Sequence, residues 1–232
     1  MEVAEFDQFA DEYYQLHAQN ISASGETPEF FAEYKIVDTA RIAARHNLTS
    51  SITRLLDFGS GTGNSIPYFR QYWPRATVTC ADVSTRCMEV SKQRFPGNET
   101  YALIDNNKLP CPDNSQDMVF SACVFHHIPH REHEMWLTEL RRVLRPGGLL
   151  AIFEHNPYNP LTMRAVRDCP FDCNAELIRT PDFRKRAMAA GYKNIVIDYR
   201  IFFPKFLSFL RPVEGYIRWL PLGAQYCLTA RK

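Results

Sequence analysis

The chain has 232 residues, of which 45% are hydrophobic and 23% are charged, and its formal net charge is +1. This length and composition predict one full-sized globular domain and exclude a disordered chain, and the near-neutral charge argues against a broad nucleic-acid-binding surface. Residues 1–20 are unlike a secretory or transit peptide and no run approaches the length of a membrane-spanning helix, so we expect a cytoplasmic protein without stable membrane insertion.

Two helices are predicted ahead of the first strand. Apolar and aromatic residues recur at helical spacing between Phe6 and Leu16, which indicates an amphipathic helix that packs on the main domain. A longer helix is predicted from Pro28 to about His46, where polar residues end it.

The most informative stretch is an apolar strand, residues 52–58, that runs into Gly59, Gly61 and Gly63 and then into helical sequence at 65–72. Glycine weakens both strands and helices, so three of them at a strand-to-helix junction need a reason. One reason would be a ligand that the backbone approaches closely at the carboxyl end of a buried strand. An ordinary glycine-rich turn is the alternative.

The spacing of the glycines narrows the choice of ligand. Asn64 or Ile66 stands where a dinucleotide-binding fingerprint requires its third glycine, and no Gly-Lys-Ser/Thr follows for a phosphate-binding loop. The stretch from Asp57 instead reads acidic-x-Gly-x-Gly-x-Gly. Here the chain resembles the class I S-adenosylmethionine-dependent methyltransferases. The resemblance implies that the glycine turn passes under the methionine part of the cofactor and that Asp57 helps to hold its ammonium group.

The N-terminal helix extends this resemblance. Related small-molecule methyltransferases often carry Phe-Asp-x-x-Ala-x-x-Tyr as a lid over cofactor and acceptor. The matching residues are Phe6, Asp7, Ala10 and Tyr13. The resemblance therefore implies a helical lid over residues 1–48. We expect Tyr14 either to reach the cofactor pocket or to pack on the domain.

Two further strands are predicted to end at acidic residues. The strand at 76–81 ends at Asp82, about twenty residues past the glycines, where a carboxylate accepts hydrogen bonds from both ribose hydroxyls. Capping of the next helix is the alternative, but Ser84 can serve as that cap. A short strand at 100–104 ends before Asp105, which the resemblance places against the adenine amino group.

Histidines follow the next two predicted strands. His126 and His127 come after the strand at 118–124, and His155 closes the strand at 149–153. These strand ends face the ligand crevice of an open α/β sheet. The family commonly has histidine at the position of His127, near the sulfonium and the acceptor. A histidine can also take a proton from an acceptor hydroxyl.

We therefore expect His127 and His155 to be the main candidates for a general base, with His126 and Tyr14 behind them. For His155, an anchoring hydrogen bond in its loop is the alternative.

A second family motif lies between the fourth and fifth strands. An amphipathic helix at 134–144 ends in Leu-x-Pro-Gly-Gly, where Gly147 and Gly148 permit the dihedral angles of a helix C-terminus. Asp117, at the start of the fourth strand, is expected to order the edge of the sheet. The resemblance spans about residues 52–153. It implies a doubly wound, Rossmann-like, mostly parallel sheet of seven strands.

The remainder of the chain is compatible with that fold. Residues 154–192 form a proline-rich insert and a helix, predicted at 181–190, and the long loop is typical of a substrate lid. Residues 193–232 supply a sixth strand, an aromatic connection at 202–220 and a closing strand that the family inserts antiparallel. We expect the aromatic connection to be core and pocket wall, with weak membrane contact as the alternative.

The seven cysteines are predicted to be reduced thiols. Cys169 and Cys173 form the closest pair, but a zinc site of the cysteine type needs a second pair at suitable spacing. We therefore expect no metal.

Together these features predict transfer of a methyl group from S-adenosylmethionine, with S-adenosylhomocysteine as product, to a small-molecule, sugar or lipid-linked acceptor at oxygen. The Asn/Asp-Pro-Pro-aromatic motif of amino-directed DNA methyltransferases is missing, which argues against a nucleic-acid partner. The alternatives are a non-catalytic cofactor-binding partner protein and, against the glycine spacing, a nicotinamide-dependent oxidoreductase. A homodimer is left open. The residues expected to bind the cofactor are Tyr14, Asp57, Gly59, Ser60, Gly61, Gly63, Asp82, Val83, Asp105, Asn106 and Ala122.

Overall fold

The computed structural model describes Asp7 and residues 12–232. Its strands form one seven-stranded sheet in the order β3-β2-β1-β4-β5-β7-β6. The strands are β1 Arg54–Phe58, β2 Thr77–Asp82, β3 Thr100–Leu103, β4 Gln116–Ala122, β5 Leu144–His155, β6 Lys193–Arg200 and β7 Gln225–Arg231.

Helices connect the strands and pack on the sheet. The α-helices are α1 Tyr13–Asn20, α2 Pro28–Arg45, α3 Ile66–Tyr72, α4 Thr85–Arg94, α5 His133–Val143, α6 Pro160–Arg167, α7 Thr180–Ala189 and α8 Glu214–Ile217. Short 3₁₀ segments lie at Ser22–Ser24, Thr49–Ser51, Phe125–His127, His130–Glu132, Pro170–Asp172 and Lys205–Val213. Among the described residues, no helix is long and apolar enough to cross a membrane.

The first five strands run parallel, and β7 is antiparallel to both β5 and β6. Because parallel strands share their direction, the carboxyl ends of β1 to β5 all lie at one edge of the sheet, where ligands bind in open α/β folds. This arrangement confirms the predicted doubly wound, Rossmann-like seven-stranded sheet and the antiparallel closing strand.

Two hydrophobic clusters cover the two faces of the sheet. Trp136 from α5 and Phe183 from α7 belong to one cluster, and Ile36 from α2 and Phe69 from α3 belong to the other. Strand residues alternate between the two clusters, as the two-residue period of a strand requires. Helices therefore lie on both faces, which leaves the sheet edge as the place for a ligand.

Local signals in the sequence account for the helix starts. Pro28 occupies the first turn of α2, and the Thr27 hydroxyl accepts the amide of Phe30 at 3.3 Å. The Ser84 hydroxyl accepts the amide of Cys87 at 2.9 Å and caps α4. Ser84 thus serves as the predicted helix cap, which leaves Asp82 available for other contacts.

The fifth strand begins earlier than predicted. β5 starts at Leu144, and its pairing with β4 shifts register between Gln116 and Met118. The Pro-Gly-Gly segment that was expected to be a turn therefore lies inside the strand as an irregularity, with Gly147 at a φ of 73°. Asp117 accepts the amides of Thr53 and Arg54, at 2.7 and 2.8 Å, which confirms that it orders the sheet edge.

The prediction that the aromatic connection belongs to the core is wrong for four of its aromatic side chains. The sixth strand stops at Arg200 because Ile201 adopts a left-handed φ of 59°. The chain then turns outward, and Glu214 accepts the amides of Phe202 and Phe203. Four aromatic side chains beyond this point are 72–83% exposed. They are Phe206, Phe209, Tyr216 and Trp219.

Candidate active site

The glycine turn follows β1 and is fastened to the end of β2. The amides of Gly59 and Ser60 both donate to the carbonyl of Ala81, at 2.8 and 3.1 Å. The amide of Gly61 donates to Oδ2 of Asp82 at 2.7 Å. Two of the segments predicted to bind the cofactor are therefore held together by backbone hydrogen bonds.

The three glycines of the turn all have positive φ, but their surroundings differ. A Cβ at Gly59 would lie 2.3 Å from Val124, and one at Gly63 would lie 2.2 Å from Ser91, so neither position has room for a side chain. A Cβ at Gly61 would meet nothing within 4 Å. Gly61 therefore borders open space, as expected where a backbone approaches a ligand.

Alanine substitutions should separate these two roles. We expect Gly59→Ala to lower the free energy of unfolding by roughly 2 kcal/mol or more, because left-handed strain and overlap with Val124 add together. Gly61→Ala should cost only about 1 kcal/mol of stability but weaken cofactor binding, since its methyl group enters the open space. Thermal unfolding and calorimetric titration with S-adenosylhomocysteine measure the two effects. Equal losses of stability in both variants would contradict this assignment.

Two aspartates lie beneath the turn, and the pKa of each is raised. Burial, with a smaller contribution from Asp82, raises the pKa of Asp57 to about 8. Oδ2 of Asp57 has no hydrogen-bond partner among the described residues. Burial also raises the pKa of Asp82, although backbone amides of Ser84 and Gly61 partly offset it. Each oxygen of Asp82 accepts one of these amides and keeps a second lone pair, so its ribose role stays a prediction.

The other predicted cofactor residues follow the same strand ends. Val83 comes directly after β2 and packs partly on the core, and Ala122 ends β4. Asp105 and Asn106 are exposed beyond β3, where the Asn106 amide donates to the Asp105 carboxylate at 2.8 Å. Ser60, at 9% exposure, has a hydroxyl without a partner among the described residues.

The N-terminal segment contributes one described contact at the end of β2. The Ser84 hydroxyl donates to Asp7 at 2.5 Å, which places the aspartate of the predicted lid motif over this strand end. Phe6 and Ala10 of that motif lie outside the described residues. Tyr14 is 43% exposed and hydrogen-bonds to Glu29, which raises its pKa. Its contact with the cofactor stays a prediction.

The three predicted histidines do come together, around acidic groups that the sequence did not reveal. Glu154 is fully buried, and its Oε1 accepts the amides of Val124 and Phe125 at 3.0 and 2.7 Å. Its Oε2 lies 2.6 Å from Nδ1 of His126. Burial alone would lower the pKa of His126, but Glu154 and Asp172 outweigh it and raise that pKa well above its ordinary value.

Asp172, in the insert after β5, lies between the two neighbouring histidines. Its Oδ1 is 3.4 Å from Nε2 of His126 and 3.4 Å from Nε2 of His127. Burial would raise the pKa of Asp172, but the histidines, His126 foremost, lower it. Burial and the charge of His126 lower the pKa of His127 to about 3, so this imidazole is neutral.

His155 lies at the same edge of the sheet, where it contacts Cys123. It hydrogen-bonds to the thiol of Cys123, which lies after β4 at a left-handed φ of 59°. Burial would raise the pKa of Cys123, but Lys35, whose Nζ is 3.7 Å from the sulfur, and His155 lower it to about 7. Despite burial, Cys123 raises the pKa of His155.

Sequence patterns missed four members of this cluster. They are Lys35, Cys123, Glu154 and Asp172. Cys123 and Glu154 had one usable signal, because each stands at the carboxyl end of a predicted strand. Lys35 on α2 and Asp172 in a 3₁₀ turn had none, since their places depend on how distant segments pack.

Comparison with known proteins finds a family match for the central part of the chain. The family described as "Methyltransferase domain" matches residues 56–152, from β1 to β5. The family match over residues 56–152 and the seven-stranded sheet are consistent with a class I S-adenosylmethionine-dependent methyltransferase.

Two curated relatives of this chain differ in the reactions that their names give. Trans-aconitate 2-methyltransferase from Azoarcus sp. (strain BH72) is 29% identical over 73% of this chain and 65% of the relative. The ubiquinone/menaquinone biosynthesis C-methyltransferase UbiE from Ectopseudomonas mendocina (strain ymp) is 31% identical over 56% of this chain and 57% of the relative. The chain thus matches less than two thirds of the length of either relative.

Solved structures share the fold at lower identity. A SAM-dependent methyltransferase from Thermotoga maritima aligns over 100% of both chains with a TM-score of 0.69 and 18% identity. Another from Archaeoglobus fulgidus covers 85% of this chain and 94% of its own, with a TM-score of 0.64 and 14% identity. These likenesses support the class I methyltransferase fold.

The residues at this edge of the sheet fit S-adenosylmethionine. The unpartnered carboxylate oxygen of Asp57 is a buried group that a cationic ammonium would satisfy. The open space at Gly61 leaves room for a ligand against the backbone. Asp82 places a carboxylate at the end of β2, where open α/β folds bind a ribose, and its contact with the ribose stays a prediction.

Proposed function

We propose that this chain transfers the methyl group of S-adenosylmethionine to a small-molecule, sugar or lipid-linked acceptor at an oxygen atom. The main support is the buried carboxylate of Asp57, whose Oδ2 has no partner among the described residues, beside the open space at Gly61. Bound there, S-adenosylmethionine supplies an electrophilic methyl group. The chain's own task is to bind, orient and exclude water.

We assign the acceptor to the histidine cluster. His127 and His155 lie after β4 and β5, at the same sheet edge as the glycine turn. The side chain of His127 is 10% exposed, against 1% for His126, so His127 is the more accessible of the adjacent pair. The insert that carries Asp172 would close this side of the pocket. An acceptor hydroxyl bound here would lose its proton through the cluster.

Cofactor binding is the first test of the proposed function. Calorimetric titration should show micromolar binding of S-adenosylmethionine and S-adenosylhomocysteine. Asp82→Ala should weaken it about a hundredfold, since loss of hydrogen bonds to a charged group costs on the order of 3 kcal/mol. The control is Asp113→Ala, an exposed aspartate paired with Arg142 away from the carboxyl ends of the strands. Failure of the wild type to bind either compound would contradict the proposal.

An acceptor panel then tests catalysis. It should contain hydroxyl, carboxylate, amine and quinone-precursor compounds, including trans-aconitate, because the curated relatives are named for different acceptors. A methylated oxygen product, detected by mass spectrometry, would support the proposal. Cofactor binding without any product would favour the non-catalytic alternative, and a methylated carbon or nitrogen would correct the acceptor atom.

A further inference from the structure

Three metal-ligating side chains from two distant segments meet beside the end of β4. One donor atom each of His126, His127 and Asp172 lies within 4.8 Å of the others. The two histidines belong to the 3₁₀ turn after β4, and Asp172 belongs to the turn in the insert. Their side chains are 1%, 10% and 3% exposed, so the group is enclosed rather than spread over the surface.

Two of the three donor separations are close to those of a tetrahedral site, and the third, between the histidine nitrogens, lies within 4.8 Å. Both imidazole Nε2 atoms lie 3.4 Å from Oδ1 of Asp172. In a tetrahedral zinc site, with bonds of about 2.0–2.2 Å, the nitrogen and oxygen ligands stand about 3.4 Å apart. An octahedral ion with similar bonds would place adjacent ligands about 3.0 Å apart.

Glu154 fixes which nitrogen of His126 faces the group. Nδ1 of His126 is held by Glu154 at 2.6 Å, which leaves Nε2 directed at Asp172. Asp172, at 3.4 Å, is the polar group that faces this buried Nε2, and the contact is too long for a well-formed hydrogen bond. A carboxylate on the far nitrogen of a ligating histidine fixes its tautomer and raises its basicity, as in many metal centres.

We propose that His126, His127 and Asp172 bind a divalent transition-metal ion, zinc by the chemistry of the ligands, with a fourth position open. Two imidazoles and a carboxylate form a ligand set typical of zinc sites that bind a substrate or water. The carboxylates of Asp172 and Glu154 supply two negative charges to balance the ion. Of the nearby basic groups, Lys35 lies 3.7 Å from the thiol of Cys123, and the ring of His155, which also contacts Cys123, stands 5.1 Å from that of His126.

The open position would take the oxygen atom of the acceptor. A zinc ion lowers the pKa of a bound hydroxyl or water strongly. With His126 and His127 serving as ligands rather than bases, the acceptor's proton would pass to solvent water. This use of the metal rests on the proposed function, whereas binding of the metal does not.

The test uses full-length protein without a histidine tag, stripped with chelator and titrated with Co²⁺ and Zn²⁺. Cobalt should bind one equivalent, with the visible absorption of a tetrahedral site, and Zn²⁺ should displace it. His127→Ala and Asp172→Ala should each weaken binding at least a hundredfold. Glu154→Gln should weaken it ten- to a hundredfold through His126. The control, His130→Ala, removes a more exposed histidine from the next turn and should bind as wild type.

Two results would overturn the metal site. One is the failure of wild-type protein to bind cobalt or zinc stoichiometrically at micromolar concentration, and the other is wild-type affinity in both His127→Ala and Asp172→Ala. Circular dichroism checks folding, and Asp172→Asn replaces the alanine variant if that variant unfolds. S-adenosylhomocysteine should still bind to Asp172→Ala, so loss of the metal is distinguishable from failure of the proposed function.

Discussion

Replacing Asp57 by asparagine should make the cofactor-free protein more stable and the cofactor bind more weakly. The pKa of Asp57 is raised to about 8, against about 3.9 for an ordinary aspartate, so the folded state holds this proton more tightly than the unfolded chain does. Its contribution to stability is therefore full below about pH 4 and is lost as pH rises toward 8. At pH 8, Asp57→Asn should raise the free energy of unfolding by a few kcal/mol, or roughly 5–10 °C in Tm.

Without cofactor, burial favours the protonated form of Asp57. A bound cofactor should favour the ionised form instead, because its ammonium group is positively charged. Wild-type affinity for S-adenosylhomocysteine should rise on the order of twentyfold from pH 6.5 to 8.5, as Asp57 loses its proton. The affinity of Asp57→Asn should be at least tenfold lower at pH 8.5 and nearly independent of pH. Calorimetric titrations and thermal unfolding at several pH values measure both effects.

A second buried aspartate, Asp38, is a control for which we expect the opposite change in the free energy of unfolding. Asp38 is buried and paired with Arg200 at 2.6 Å, so its charge is satisfied. Asp38→Asn should lower the free energy of unfolding, since breaking a buried pair typically costs 3–5 kcal/mol. If Asp57→Asn were also destabilising at pH 8, the Asp57 carboxylate would have a stabilising partner in the cofactor-free protein. That result would contradict its assignment as the group that binds the cofactor's ammonium.

The sequence predicted the scaffold well because its signals are local. Apolar strands, the Ser84 cap and Pro28 each act through neighbours a few residues away, and all of them appear in the structure. The exposed aromatic connection was mispredicted because hydrophobicity alone does not say which way a segment leaves the sheet. A left-handed residue, Ile201, directs it outward, and no residue type marks that conformation reliably.

Some residues of the candidate site lie in a local motif, and others come together only through the packing of distant segments. Asp57 and the glycines form a contiguous motif with fixed spacing, so the sequence alone predicts them as one unit at the end of β1. The expectation that the chain holds no metal came from cysteine spacing, whereas the proposed ligands are His126, His127 and Asp172, which are brought together by the folding of the insert. Their partnership depends on packing between distant segments, which no spacing rule describes.

Glu154 connects the site to the stability of the fold, and its removal should have the largest effect on unfolding. One buried carboxylate accepts two backbone amides and His126, at distances of 2.6–3.0 Å. Glu154→Ala would leave these donors buried without an acceptor. We expect the free energy of unfolding to fall by about 3–5 kcal/mol, or on the order of 10 °C in Tm.

Two companion variants identify the cause. Glu89→Ala removes a carboxylate that pairs with Arg86 on the surface, and it should change the free energy of unfolding by no more than about 0.5 kcal/mol. Glu154→Gln keeps one oxygen for the backbone amides but turns an NH₂ group toward His126, so it should recover part of the stability. If Glu154→Ala unfolds no earlier than Glu89→Ala, the buried carboxylate does not hold the turn after β4. If Glu154→Gln is as stable as wild type, the charge of Glu154 is not needed for folding, and its role lies in orienting His126.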